Sequence, residues 1–366
     1  MRIDKAQISG RQFMLAMICF LQASSLLMAF LSGITTRDSW LVLIFAILVG
    51  LPVIWVYREL MLLFPEENLI QVLEHVLGPL AGRILGGLYV WFFFSLTSLN
   101  LMDEGDFTKL TLMRDTPQVL MMTLCILVAL IAVRRDVRLV TQYGALFMSI
   151  NFIILTITIL LLLNQLDVAH FFPILDQPVM SYVQGTHIAL TMPFGEVVVF
   201  LMLTPNVKLT RHEATKYLFG GFLVGAFTAV ISMARDIAVL GNTINLFTMP
   251  PLVTLRLVNL GTALSRIEIL FAVVLIMLMF FKITVLYYVS VLALAQLLRV
   301  KPYRRLTLAA GALILSYGLT LYRCPVEHTA SAREVVPAAW TFFELVIPLL
   351  LLLVAKFRGM SAGKEA

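Results

Sequence analysis

Long apolar runs recur along the whole 366-residue chain, and short polar connections separate them. A run of about 18 or more apolar residues is long enough to cross a bilayer as a helix. The runs predict ten transmembrane helices, which cover residues 9–34, 39–63, 80–102, 117–133, 139–164, 184–204, 214–236, 267–298, 304–322 and 336–357. The pattern therefore predicts an all-α integral membrane protein without a separate soluble domain.

Composition and charge agree with a membrane protein. Hydrophobic residues make up 60% of the chain and charged residues 13%, whereas a soluble domain carries about 25% charged residues. The net charge of +6 does not indicate nucleic-acid binding, because the basic residues fall in short clusters between the apolar runs.

The basic clusters also predict the orientation of the spans. Of the 27 Lys and Arg residues, eighteen lie in one set of connections and eight in the opposite set, and Lys282 lies inside span eight. Since Lys and Arg concentrate on the cytoplasmic side, both termini are predicted to be cytoplasmic, which requires an even number of spans.

The predicted spans divide into two nearly equal halves, 9–164 and 184–357, with five spans each. Because five is odd, the second half begins on the opposite side of the membrane and is inverted. Equal inverted halves are compatible with an inverted-repeat transporter fold, although the halves share no evident sequence match. Between spans seven and eight, residues 236–266 are apolar but interrupted by Gly and Pro, which predicts short interfacial helices on the outer face.

The segment Thr191–Glu196, with the sequence Thr-Met-Pro-Phe-Gly-Glu, lies in the middle of span six. Pro193 lacks a backbone donor and disfavours a helical Met192, while Gly195 tolerates unusual dihedral angles. These residues predict a broken helix, whose free N–H and C=O groups can hold a small polar solute. Glu196 adds a carboxylate at membrane depth, where an unpaired charge costs at least about 3 kcal/mol. The alternative is a kinked helix in which Glu196 pairs with a neighbour for packing alone.

Span one contains the small and polar residues Gln22, Ala23, Ser24 and Ser25 near its middle. In an inverted repeat this span is the counterpart of span six, so these residues are candidates for a cavity wall. Ordinary hydrogen bonding by Ser between helices is the alternative.

Lys282 lies at the centre of span eight, and a buried Lys needs a partner or loses its proton. Glu196 and Glu344 are the candidate acids at membrane depth. A lysine can occupy the place of a coupling cation in a transporter, and a structural ion pair is the alternative.

Two other patterns concern packing and the outer surface. Glycines spaced by four, at 78, 82 and 86 and at 221 and 225, predict close helix contacts, with a hinge as the alternative. The charged residues between 103 and 115 are expected to form a solvated outer segment after span three, with a vestibule or partner contact as the alternative.

Several function classes receive no support from the sequence. It contains neither a phosphate-binding loop of the form G-x-x-x-x-G-K-[ST] nor a G-x-G-x-x-G fingerprint after a strand. No His or Cys cluster has zinc spacing. We therefore expect neither an enzyme nor a bound metal or cofactor.

An ordered set of short motifs carries a family resemblance. The motifs are Ile8-Ser9-Gly10-Arg11-Gln12, Asp38-Ser39-Trp40, Phe64-Pro65, Leu77-Gly78-Pro79-Leu80-Ala81-Gly82, Tyr89, Pro193-Phe194-Gly195-Glu196, Pro205, Val239-Leu240-Gly241, Arg266-Ile267-Glu268 and Lys282. In this order the chain resembles the B-subunit family of bacterial spore germinant receptors, within the amino acid–polyamine–organocation transporter superfamily. Span one departs from the wider superfamily, because no helix-breaking glycine is evident there.

The resemblance implies a LeuT-like fold of ten helices in a five-plus-five inverted repeat. It also implies a subunit that senses a nutrient, commonly an amino acid, in the inner membrane of a dormant spore. An A-type membrane subunit and a C-type lipoprotein would be its partners. Carried over by position, the residues that line or shape the nutrient pocket are Gln22, Ser24, Ser25, Thr191, Pro193, Phe194, Gly195 and Glu196. A secondary amino acid transporter and a structural or ion-conducting subunit that binds no nutrient are the alternative functions.

Overall fold

The structure is a computed structural model that describes residues 7–24, 29–135, 137–257 and 267–360. All regular elements in these ranges are helical. The α-helices are α1 (Gly10–Ala23), α2 (Ala29–Thr35), α3 (Ser39–Leu63), α4 (Leu69–Leu77), α5 (Pro79–Thr111), α6 (Gln118–Arg135), α7 (Val137–Leu162), α8 (Val179–Ala189), α9 (Arg211–Leu240), α10 (Pro250–Arg256), α11 (Ile267–Leu297), α12 (Thr307–Thr320), α13 (Pro325–Glu334), α14 (Val336–Thr341) and α15 (Ile347–Phe357).

Eight helical segments within these ranges are long and apolar enough to cross a membrane. They are Phe30–Leu63, Pro79–Thr111, Gln118–Arg135, Val140–Gln165, Val179–Asn206, Arg211–Leu246, Glu268–Leu297 and Val336–Phe357. Helices α1 and α12 have 14 residues each, which is fewer than a spanning helix usually needs. The predicted count of ten spans therefore stays a prediction.

Helix α5 is longer than the sequence analysis predicted. The prediction ended span three at residue 102, but the helix continues to Thr111 and carries the first acidic residues with it. The Glu104 side chain is buried, so it does not lie in a solvated segment. On the next turn of the helix, Phe107 packs in an apolar cluster with Leu252 and Leu275. The helix continues because burial of this side chain stabilises it more than the neighbouring acidic residues destabilise it.

The stretch predicted as short interfacial helices contains two short helical elements, and their position at the membrane surface stays a prediction. After α9 ends at Leu240, a 3₁₀ segment covers Gly241–Leu246 and α10 covers Pro250–Arg256. The apolar face of α10, including Leu252 and Leu255, is buried against the protein. Residues 258–266 of the predicted stretch lie outside the described ranges.

Glycines allow α9 to pack closely against α1 and α5 to pack closely against α4. A Cβ atom added to Gly225 of α9 would lie 2.7 Å from the Leu21 Cδ1 atom of α1. A Cβ atom added to Gly82 of α5 would lie 2.5 Å from the Glu74 Cα atom of α4. Neither position accommodates a larger side chain without movement, so the structure favours the packing interpretation of the glycine series.

Candidate functional site

The α8 helix breaks at the predicted position. It is followed by a π turn at Leu190–Phe194 and by 3₁₀ turns at Gly195–Asn206. Met192 leaves the helical region, with φ −119° and ψ 106°, because the ring of Pro193 disfavours a helical residue before it. The predicted helix break is therefore present in the structure, and Glu196 after it is buried inside the protein.

Lys282 and Glu196 form a buried ion pair at this break. The Lys282 Nζ atom donates hydrogen bonds to the Glu196 Oε2 atom and to the Ser24 Oγ atom. It also lies 4.8 Å from the centroid of the Phe20 ring. The Lys282 and Glu196 side chains are almost fully buried. The pair explains how two charges are tolerated at this depth, since each neutralises the other and the Ser24 hydroxyl accepts a further hydrogen bond from the ammonium group.

Glu344, the other candidate partner of Lys282, lies beside the break instead. It is fully buried in a π turn at Phe342–Val346, and neither carboxylate oxygen has a hydrogen-bond partner among the described residues. The Tyr57 hydroxyl donates to the backbone oxygen of Glu344 at 2.5 Å. A Cβ atom on Gly195 would collide with the Glu344 carboxylate, so the glycine allows this carboxylate to approach the broken helix.

A small cavity of about 40 Å³ adjoins the ion pair. Its walls are Ser24, Phe30, Leu31, Leu96, Leu99, Asn100, Asp103, Ile188, Met192, Glu196, His328, Ala332, Val336 and Trp340. The space is enough for roughly three water molecules. A larger solute requires the surrounding helices to move apart.

The predicted pocket residues occupy different places around this cavity. Ser24 and Glu196 line it, and Pro193 and Gly195 shape the break beside it. The remaining predicted residues, Gln22, Thr191 and Phe194, do not line it, and Ser25 lies outside the described residues.

The three predicted residues away from the cavity have other partners. The Asn151 Nδ2 atom of α7 donates a hydrogen bond of 2.5 Å to the Gln22 Oε1 atom. The Thr191 hydroxyl donates to the backbone oxygens of His187 and Ile188, as Thr often does within a helix. Phe194 packs edge-on against Phe222, with ring centroids 5.5 Å apart. Their assignment to a nutrient pocket stays a prediction.

Asn100, Asp103 and His328 are polar cavity residues that the sequence analysis did not assign to the pocket. Asn100 and Asp103 follow Leu96 and Leu99 on one face of α5, and this helical spacing is the signal that could have placed them together. His328 lies on α13, where only a connection between spans was predicted. Its Nδ1 atom is 3.6 Å from the Asp103 Oδ1 atom.

The buried position of His328 favours its neutral form. The ring stacks on Tyr322 with centroids 4.9 Å apart and meets Phe30 edge-on at 6.1 Å. Burial lowers the pKa of His328 below its ordinary value, and the Asp106 carboxylate offsets part of this effect. His328 is therefore uncharged at neutral pH despite the acids near it.

The lowered pKa of His328 predicts a loss of stability in mild acid. The unfolded chain takes up the histidine proton near pH 6.5, whereas the folded protein takes it up only at lower pH. Stability therefore falls as the pH decreases from about 6.5 through the pKa of the folded state. Thermal unfolding of the purified chain between pH 8 and pH 5 should show a smaller decrease for His328→Gln than for wild type. Equal decreases in thermal stability in both proteins would contradict a lowered pKa of His328 in the folded state.

Within the ranges that the structure describes, no three His, Cys, Asp or Glu side chains are grouped so that they could hold a metal ion. The arrangement at the break instead offers hydrogen-bond donors and acceptors beside a small cavity. Such a site can bind a small polar solute or exchange a proton between its acids.

Comparison with solved structures places the fold among transporters. The chain superposes on Mhp1, a nucleobase-cation-symport-1 family transporter in a closed conformation with bromovinylhydantoin bound, with a TM-score of 0.68. This match covers 98% of the chain and 85% of Mhp1 at 14% identity. A manganese transporter from Eremococcus coleocola gives a TM-score of 0.61 over 97% of the chain and 80% of that protein, at 13% identity. The chain therefore shares its overall fold with these two transporters.

Comparison with known sequences shows the family. The profile of the family described as spore germination protein matches residues 7–322. The chain is also 26% identical to spore germination protein KB of Bacillus subtilis (strain 168), over the full length of both proteins. The chain belongs to the spore germination permease family, and it is a multi-pass membrane protein.

Proposed function

We propose that this chain is the membrane subunit of a nutrient-germinant receptor, and that it senses a small nutrient such as an amino acid. The observation that carries the proposal is the cavity at the helix break, which is lined by the polar side chains of Ser24 and Glu196 among apolar residues. A mainly apolar cavity with a few polar groups beside a broken helix suits a small solute that is held and then detected. In this proposal the receptor lies in the inner membrane of the spore, with an A-type membrane subunit and a C-type lipoprotein as partners.

Binding would be detected through the Lys282 ion pair. Lys282 on α11 holds both Ser24, at the end of α1, and Glu196, after the break. A solute that forms a hydrogen bond with Ser24 or Glu196 changes the partners of the ammonium group. It thereby changes the relative positions of α1, α11 and the segment after the helix break. The solute shifts the bundle between two states only by its difference in affinity for them. The partner subunits would respond to that shift.

The proposed topology has ten spans in two inverted repeats, at about 9–164 and 184–357, with both termini in the cytoplasm. It requires α1 and α12 to cross the membrane together with the eight longer segments. The burial of α1 supports this, since residues from Ala16 to Ala23 are all buried inside the bundle. A single cysteine introduced near either terminus should be labelled only after the membrane is permeabilised.

Deletion of the chain tests the proposed function. Spores that carry an in-frame deletion should lose their response to one nutrient or a small set, with loss of refractility as the readout, and the intact gene should restore it. An unchanged response to every nutrient would contradict the sensor function.

Filling the cavity should reduce sensitivity to that nutrient. Leu99 is buried and lines the cavity, so Leu99→Phe should raise the nutrient concentration for half-maximal germination by about tenfold, equivalent to about 1.4 kcal/mol. The control is Leu88→Phe, the same change on a face of α5 that is 41% exposed. Immunoblots of spore membranes should show equal amounts of both variants. If both variants germinate at the same nutrient concentration, the nutrient does not bind in this cavity.

A secondary amino acid transporter is the second candidate function. The fold that the chain shares with transporters favours this function. The ammonium group of Lys282 on α11 contacts Ser24 at the end of α1, where it can act in place of a coupling cation. Vesicles containing the purified chain distinguish the two functions. Accumulation of the amino acid would support transport, whereas saturable binding without accumulation would support sensing.

A further inference from the structure

A second cavity opens on the lipid-facing side of the protein, away from the ion pair. It has a volume of about 440 Å³ and lies between α6 and α7, with α11 as its floor. The walls include Val128 and Ile131 of α6 and Tyr143 and Phe147 of α7, and Phe281 forms part of the floor. We refer to it as the α6–α7 cleft. Its apolar lining suits hydrocarbon rather than a polar solute.

Arg135 is the charged residue that lines the cleft, and it lies at the cleft's end, where α6 terminates. Its side chain is exposed and has no hydrogen-bond or ion-pair partner among the described residues. The backbone oxygen of Arg135 accepts a hydrogen bond of 2.9 Å from the Arg304 side chain, which brings a second guanidinium group to the same end. Arg134 is held there as well, by a bond of 2.9 Å from its Nε atom to the Thr307 hydroxyl. The guanidinium groups of Arg134, Arg135 and Arg304 therefore lie near this end of the cleft.

The dimensions of the cleft match the first part of an acyl chain. Val128 and Arg135 are two helical turns apart, so the cleft extends roughly 10 Å from the guanidinium group toward the middle of the membrane. Along this length the lining is aromatic and aliphatic. A phospholipid would place its phosphate at Arg135 and one acyl chain against Phe281.

The cleft is too narrow at its charged end for a helix of another protein. Helix α6 ends at Arg135 and α7 begins at Val137, so the two axes are close together there. Packed helices lie about 8–10 Å apart, and a third helix is itself about 10 Å wide. A single acyl chain is much thinner and fits between them.

We propose that the α6–α7 cleft binds a phospholipid with an anionic headgroup, and that Arg135 recognises its phosphate. Basic pockets between transmembrane helices hold such headgroups in general, through charge attraction near the membrane surface. The site is separate from the nutrient cavity, and its occupancy does not depend on the proposed sensor function. Because Phe281 directly precedes Lys282, the bound chain would nevertheless contact the helix that carries the ion pair.

Lipid retention by the purified full-length chain tests this site. The protein is equilibrated with equal parts of phosphatidylglycerol and phosphatidylcholine, and the retained lipid is measured by native mass spectrometry. Wild type should retain phosphatidylglycerol preferentially. Arg135→Gln should reduce that retention about fivefold, the effect of one basic residue at an anionic surface. The control is Arg305→Gln, because Arg305 is an exposed arginine at the same end that does not line the cleft.

Two further variants keep the test independent of folding. Ala132→Phe narrows the cleft without changing charge, so it should lower the retention of both lipids. A photo-crosslinking residue at position 131 in spore membranes should capture lipid. Equal retention of the two lipids by wild type, or full retention by Arg135→Gln, would overturn the proposal. Capture of a partner polypeptide at position 131 would overturn it as well.

Discussion

Lys282→Met is expected to lower the free energy of unfolding of the purified chain by about 3–5 kcal/mol. The substitution keeps the volume of the side chain but leaves the Glu196 carboxylate buried without its cation. Removing one partner of a buried ion pair costs more than the pair contributes, because the remaining charge stays desolvated. Chemical unfolding in detergent, followed by tryptophan fluorescence, measures the loss.

The double variant Lys282→Met with Glu196→Gln is the control for this prediction. It removes both charges and should regain part of the stability, since no uncompensated carboxylate remains. A coupling free energy of at least about 0.5 kcal/mol between the two substitutions is expected for residues in contact. Strictly additive effects of the two substitutions on the free energy of unfolding would contradict a direct contact between Lys282 and Glu196.

The Glu196→Gln variant alone should still reach the spore membrane and should shift the nutrient concentration that is needed for germination.

Gly195→Ala is expected to destabilise the protein by about 1–3 kcal/mol, the usual cost of overpacking a buried site. The backbone at this position, with φ −72° and ψ −28°, accepts any residue, so the cost comes from space alone. The new Cβ atom would collide with the Glu344 carboxylate and would lie 3.0 Å from the Leu190 backbone oxygen. Because the buried Glu344 carboxylate must then move away from the broken helix, a weaker nutrient response is also expected.

Gly220→Ala is the matched control for the collision. At Gly220 of α9 the nearest atom to an added Cβ is the Met14 Sδ atom, at an ordinary contact distance of 3.4 Å. This change should be neutral or slightly stabilising, since Ala favours a helix over Gly. Combining Gly195→Ala with Glu344→Ala should cost less than the sum of the two changes. An equal effect of Gly195→Ala and Gly220→Ala would show that Glu344 does not approach the break.

Local chemistry in the sequence was enough to predict the central feature of the site. Pro193 acts on the residue before it, so the break could be placed without knowledge of the fold. Glu196 was a predicted partner of Lys282, because few acids lie at membrane depth and a buried ammonium group needs one. In the structure Lys282 pairs with Glu196, and Glu344 lies outside this pair.

Features that depend on tertiary contacts were missed. His328 reaches Asp103 only because α13 folds back over α5, and a segment between spans gives no local signal of this. The end of span three was misplaced because acidic residues indicated a solvated segment, whereas the packing of Phe107 extends the helix. The contact of Gln22 on α1 with Asn151 on α7 is likewise a tertiary contact that the sequence alone does not indicate.

Equilibrium binding to the purified full-length chain tests the central claim most directly. The radiolabelled amino acid to which deletion spores no longer respond is titrated against wild type, Leu99→Phe and Leu88→Phe in lipid nanodiscs. Saturable binding to wild type and Leu88→Phe, with affinity reduced about tenfold in Leu99→Phe, is the expected result. Equal affinity in all three proteins, or no binding to the chain at all, would contradict a nutrient site beside Ser24 and Glu196.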